Sequence, residues 1–152
     1  MTIKSFRGLI ADDTIDTVVL HTNTGSTGYK ITKFEIMANR PGAQTIESIV
    51  KVYKVPQTTV DGVIDFSDNT LLAAAIFENN SGSGSLPFYQ FAIFDNEIFN
   101  QDIYITAADV NGSESVNYHI ELEQVKLSLD QNTVATLKDI RNIAGQWVNN
   151  II

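Results

Sequence analysis

The chain is 152 residues long, 43% hydrophobic and 18% charged, with no cysteine and a formal charge of −8. One folded domain with its own core fits that length and composition, and no apolar run approaches the roughly 18–20 residues of a membrane helix. The acidic balance weighs against nucleic acid or an anionic membrane as ligand, since each calls for a basic face, and without cysteine there is no disulfide frame, thiolate nucleophile or Cys-ligated metal.

Most of the chain alternates apolar and polar residues with period 2, the pattern of half-buried strands. The N-terminal MTIKSFRGLIADD is a short apolar patch with acids directly behind it, which does not fit a secretory leader. A first strand is expected over 16–21 (DTVVLH), followed by the glycine-containing loop TNTGSTG. In 29–37 (YKITKFEIM), Tyr29 and Ile31 fall on one face and Phe34 and Ile36 on the other. A bulge near Thr32 and Lys33 would bring all four to the same side. A turn at 39–45 leads into a β-branched strand over 46–55, which Pro56 ends. The Asp61-Gly62 pair predicts a tight hairpin with positive φ, continued by a short strand, VIDF, at 63–66.

The apolar run LLAAAIF at 71–77 has the length of a buried strand, and ENNSGSGSLP at 78–87 has the composition of a surface loop. Strands over 88–94 (FYQFAIF), 102–107 (DIYITA) and 116–127 (VNYHIELEQVKL) complete a set of about eight. Their spacing by turn signals predicts an all-β, antiparallel β-sandwich. One helix is expected over 129–144, where Val134, Leu137, Ile140 and Ala144 recur at spacings of three and four, Ser128 or Asp130 can cap, and Gly145 is a stop. Trp147 prolongs that stripe into an uncharged end, WVNNII. Residues 1–128 therefore read as the sandwich domain and 129–152 as a C-terminal helix and apolar tail. Such a tail docks on its own sandwich or on a neighbour; the second option makes Val134, Leu137, Ile140, Trp147, Ile151 and Ile152 interface residues.

Few residues could carry chemistry. His21 and His119 are the only histidines, and no serine sits in a G-x-S-x-G elbow, so a nucleophilic hydrolase is not expected. His119, Glu121 and Glu123 share one strand face, either as ligands of a divalent metal or as the polar outer face of an amphipathic strand. The paired histidines of a cupin site are missing. Asp65, Asp68 and Asn69, and Asp95, Asn96 and Glu97, are oxygen-rich groups that could hold Ca²⁺, although turn chemistry alone accounts for Asx residues there. The SGSGS stretch lacks the lysine of a phosphate loop. No catalytic residue and no cofactor are assigned.

The charge is unevenly divided. Residues 1–54 hold seven Lys or Arg against five acids, 55–125 hold eleven acids and no Lys or Arg, and 126–152 are close to neutral. In an assembly, the basic first third of one copy could face the acidic middle of another, making association weaken with salt.

The stretch TVVLHTNTGSTGYKITKFEIMAN (17–39) resembles the opening of small β-sandwich virion proteins of tailed bacteriophages. In that family a strand ending in Tyr-Thr passes through a glycine turn into a long strand that ends at an Asn. Here His21-Thr22 replaces Tyr-Thr, and Asn23-Thr24 stands where many relatives have Val-Pro. The succession VKVYKV, LLAAAIF, FDNEIFNQDIYITA and NYHIELEQVKLS is also similar, so that the resemblance spans most of 17–128 and leaves out the C-terminal helix. It implies a jelly-roll-like fold and a non-enzymatic virion protein made in the host cytoplasm, either a head decoration (cement) protein or a neck or tail component. The implied partners are further copies of the chain, in a homotrimer or larger ring, and other virion proteins such as the major capsid protein. The alternative is a fibre-associated sandwich that binds a host carbohydrate or receptor.

Overall fold

A computed structural model describes residues 2–43, 45–80, 86–94 and 96–128. They form eight strands: β1 (Thr2–Ile10), β2 (Thr14–Val18), β3 (Thr27–Ala38), β4 (Ile46–Tyr53), β5 (Leu71–Asn79), β6 (Phe88–Ile93), β7 (Ile103–Asp109) and β8 (Val116–Lys126). These make two antiparallel sheets, one ordered β1-β8-β3 and the other β2-β7-β4-β5-β6. The helix and tail expected over 129–152, with all six proposed interface residues, lie outside the described residues, as does Asp95.

Alternation builds the smaller sheet. Along β8, Val116, Tyr118, Ile120 and Leu122 are buried while Asn117, His119, Glu121 and Glu123 point outward. In β3 the register shifts between Ile31 and Lys33, so Tyr29 and Ile31 before the shift and Phe34, Ile36 and Ala38 after it all face inward. That is the bulge the phase slip demanded. These side chains meet Val50 and Val52 of β4, Leu72, Ala73 and Ala75 of β5, and Ile103 and Ile105 of β7 in one core between the sheets.

The larger sheet is covered on both faces, which explains its near-continuous apolar runs. Residues 54–70 cross its outer face. The Nζ of Lys51, buried on that face of β4, donates to Asp61 Oδ1 at 2.8 Å and to the Val63 carbonyl at 2.6 Å. Gly62 lies close over the sheet: a Cβ there would stand 2.5 Å from Val110 Cγ1 and 3.1 Å from Ile49 Cδ1. The hairpin expected at Asp61-Gly62 is therefore absent. Gly62 does not have a positive φ, and 63–66 pair with no strand, leaving Val63 and Phe66 65% and 60% exposed. The glycine serves close approach to the sheet rather than a turn.

Two further boundaries differ from expectation. The strand placed at 16–21 is β2 at Thr14–Val18, because the Leu20 and His21 amides donate to the Asp102 carboxylate at 2.8 and 3.0 Å instead of to a ladder. β1 was not expected at all. Its alternation is interrupted at Gly8, which sits opposite Tyr118; a Cβ would meet the Tyr118 ring at 3.0 Å. The tyrosine fills the space that the glycine leaves and extends its hydroxyl to Asp16 Oδ2 at 2.5 Å. The sheets hold three and five strands, with β6 paired to β5 at the end of the larger sheet and not beside β3 in the smaller one.

The chain passes between sheets at β1–β2, β3–β4 and β7–β8 on one end of the sandwich, and there Asp109 joins all three passages. Its carboxylate accepts the amides of Glu47 at 2.9 Å, of Gly112 and Glu114 at 3.0 Å, and of Asn111 at 3.3 Å, while its own amide donates to Asp12 Oδ1 at 2.6 Å. Asp13, in the β1–β2 turn, adopts φ 62°, a left-handed conformation that Asp tolerates. Replacement Asp109→Ala strands several partly buried N–H donors and is expected to cost about 2–4 kcal/mol, measured as a lowered urea midpoint at constant m-value. Gly112→Ala, whose Cβ would stand 2.8 Å from the Thr45 carbonyl oxygen, is expected to cost about 1–3 kcal/mol in the same experiment.

Candidate interaction surface

Four strands end the two sheets: β1 and β3 in one, β2 and β6 in the other. An open edge presents unpaired N–H and C=O groups to any passing strand, and folded proteins blunt such edges with charge, brevity or bulges. β1 carries Lys4 and Arg7. β3 carries Lys30, Lys33 and Glu35 as well as its bulge. β2 is five residues long and holds Asp16. β6, six residues long and preceded by Pro87, has neither charge nor bulge, and no charged residue occurs from Leu86 to Phe94.

β6 is instead apolar and aromatic. Leu86 is 86% exposed and Phe88, Tyr89 and Phe91 are between 42% and 54% exposed, with the Tyr89 and Phe91 rings 5.9 Å apart. Pairing places Tyr89 beside Phe77 and Phe91 beside Ala75, both on the inward side, where β3 is the last strand of the facing sheet. Phe91 also borders a shallow depression of about 210 Å³ between β5, β6 and the crossing segment, floored by Ala74, Ile76 and Ala92 and walled by Ile64 and Phe66. Phe66 in turn packs edge-to-face on Phe94 at 5.1 Å. From sequence, the Phe88–Tyr89 and Phe91–Phe94 pairs read as core or interface rather than as a sugar platform; the exposure of Phe88, Tyr89 and Phe91 at the open edge favours the second option.

The outer face of the β1-β8-β3 sheet mixes polar residues with exposed Ile3, Leu9 and Met37. Directly paired positions align Arg7, His119 and Glu35 across it, next to Leu9, Asn117 and Met37. They border an open groove of about 620 Å³. His119 Nδ1 lies 3.3 Å from Glu35 Oε1, and that contact, with Lys33 at 3.4 Å, holds the Glu35 carboxyl below its usual range. Arg7 has no ion-pair or hydrogen-bond partner among the described residues.

The candidate metal-ligating His, Asp and Glu side chains among the described residues have protein partners. Glu123 faces Lys30 at 3.3 Å and Glu121 is 3.9 Å from His119 Nε2, so His119, Glu121 and Glu123 form a laddered polar face. Asp65 Oδ1 accepts the Ser67 amide and hydroxyl, and Asp68 Oδ1 accepts those of Thr70, the closed Asx turns of a loop. Glu97 receives the Lys54 ammonium at 2.6 Å. Among the described residues, no group of three His, Cys, Asp or Glu side chains is placed to hold a metal ion.

Part of the uneven charge of the sequence is matched within one copy. Lys30 reaches Glu123, Arg40 reaches Glu114, Lys51 reaches Asp61 and Lys54 reaches Glu97, each cation from the first third and each acid from the middle. Lys51 and Lys54 are almost wholly buried, a placement the strand pattern IVKVYKV did not reveal because their partners lie 10 and 43 residues further on. Burial pulls the Lys51 ammonium down, but Asp61 and Tyr53 more than offset it and leave it above the usual lysine value. The Lys51 hydrogen bond holds Asp61 below its usual 3.8. Burial raises Asp102, and the His21 amide and ring with the Leu20 amide outweigh that, so it too ends below 3.8.

No family model matches this chain, and no curated protein matches its sequence.

Asp61 and Asp102 should stabilise the fold fully above their unfolded values near 3.8 and lose that contribution as pH falls through their lower native values. Thermal unfolding is expected to show Tm falling steeply below about pH 4, with a shallower fall in Asp102→Asn. At neutral pH, Asp61→Ala leaves the buried Lys51 ammonium without its carboxylate, held by the Val63 carbonyl and Tyr53. Its expected cost is about 2–3 kcal/mol, less than for a fully buried pair because the Asp61 side chain is 52% exposed.

Proposed function

We propose that this chain is a non-enzymatic structural protein of a tailed-phage particle, of the head-decoration (cement) type, which acts by binding copies of itself and a capsid surface. The observation that carries the reading is β6: a sandwich that guards three of its edges and leaves the fourth uncharged and aromatic is suited to a partner. The resemblance over 17–128 supplies the virion setting, and the neutral, apolar segment 129–152 supplies a second contact element, with Val134, Leu137, Ile140, Trp147, Ile151 and Ile152 as its interface residues and an amphipathic helix over 129–144. Homotrimers or larger rings are the expected assemblies, which a segment of one copy received by a different surface of the next forms when the rotation between copies closes.

The alternative, a neck, tail or fibre position with carbohydrate binding, draws on the groove between Arg7, Asn117 and His119, whose polar groups could meet sugar hydroxyls. Glycan-array binding that disappears in Arg7→Ala would favour it. For the assembly reading, sedimentation equilibrium of the full chain at micromolar concentration is expected to give trimers or larger species. The full-chain variant Leu137→Ser/Trp147→Ser is expected to sediment as a monomer. A wild-type chain that stays monomeric, or is missing from purified particles, overturns the reading.

A further inference from the structure

We propose that the open edge of β6, from Leu86 to Phe91, is the surface that receives residues 129–152 of a neighbouring copy. This rests on the assembly reading and names the contact that reading leaves open. Three observations converge on it. First, the two surfaces match in chemistry: Leu86–Phe94 carry no charge, and 129–152 hold two acids and two basic residues, with none after Arg141. A copy whose net charge is −8 is repelled by its neighbours, so an edge without charge and a segment of zero net charge meet at little electrostatic cost.

Second, the chain leaves the sandwich beside β6. The Leu127 amide is still held by the Ser26 carbonyl at 2.8 Å, and Leu127 packs with Ile98, of the β6–β7 connection, over Gly28, whose Cβ would be 3.1 Å from both. The root of the segment and the acceptor edge thus lie at the same border of the molecule, where β3 and β6 end their sheets. Copies set side by side along this border can pass the segment from one to the next with little change of path, as in exchange of an element between protomers.

Third, the lengths suit. Twenty-four residues follow Ser128 and, even if wholly helical, span about 36 Å, whereas the six residues of β6 extend about 20 Å. The segment can cover the whole edge. Its apolar stripe can pack along the open edge against exposed Leu86 and Phe91, with Phe88 and the depression lined by Ile64, Phe66 and Ile76 on the outer face of the same strand.

Trp147 is the only tryptophan, so tryptophan fluorescence reports the surroundings of this segment. In the wild-type chain, emission should be blue-shifted at micromolar concentration and move to the red on dilution, together with the sedimenting mass. The full-chain variant Leu86→Ser/Phe91→Ser alters exposed positions; it should keep its β-sheet circular dichroism, show red-shifted emission and associate roughly 30-fold or more weakly, as when an aromatic anchor is truncated. Leu86→Lys alone, at a site 86% exposed, should act in the same direction if the double variant folds poorly. Mixing the edge variant with Leu137→Ser/Trp147→Ser, which has an intact edge and no tryptophan, should restore blue-shifted emission in a complex of one copy of each.

Wild-type oligomers unaffected by the edge substitutions would overturn this inference and leave the assembly reading standing. Blue-shifted emission in a concentration-independent monomer would place the segment on its own copy and overturn both. A mixture that yields no complex would overturn the exchange between copies.

Discussion

The sandwich depends on how Asp109 closes one end of it. Three passages of chain between the sheets converge there, and each leaves backbone amides that no ladder can satisfy. One carboxylate accepts four of them, and the Asp109 amide is itself held by Asp12 in the β1–β2 turn. Water would serve those amides at an open surface, but this carboxylate is nearly buried, so the hydrogen bonds exclude alternative turn paths as well as stabilising the native one. Gly112 belongs to the same arrangement, since its missing Cβ leaves room for the Thr45 carbonyl and the Asp109 carboxylate.

The acidic middle of the chain has a structural role for the same reason. Asp102 fixes the end of the β2 segment, Asp61 anchors the crossing segment through Lys51, Asp65 and Asp68 shape its turns, and Glu97 and Glu114 receive Lys54 and Arg40. Acids that looked like a solvating or partner-facing surface are largely engaged by the backbone and by the basic first third. The uncharged, aromatic edge of β6 is the contrasting surface.

β6 stands apart because its neighbours show what protection looks like. Lysines, a short strand and a bulge serve the other edges, each at some cost in regular pairing. A strand with exposed aromatic residues and no charge invites strand addition or apolar packing, and a protein that works in an ordered assembly can use that surface where a solitary one would aggregate. The polar outer face around Arg7 and His119 offers a different kind of contact, shallow and hydrated, with its histidine already engaged by Glu35.

Much of this fold was legible in the sequence because alternation reports burial directly. Seven of the eight strands, the antiparallel all-β class and the β3 bulge follow from period 2 and a phase slip between Ile31 and Phe34. Three things were not legible, and each involves residues distant in sequence. β1 escaped because Gly8 interrupts its pattern, and only Tyr118, 110 positions later, explains the glycine. The Asp61-Gly62 pair looked like a hairpin until Lys51 drew it across the sheet and Val110 claimed the space of a side chain. The open edge of β6 exists only through strand order, which sets it last beside β5. By itself the sequence determined which residues avoid water and which carry charge, since both are properties of single side chains and their local period. Which lysines are buried, which glycines are required and which strand is left without a partner were decided by tertiary structure, because each depends on what long-range pairing brings alongside.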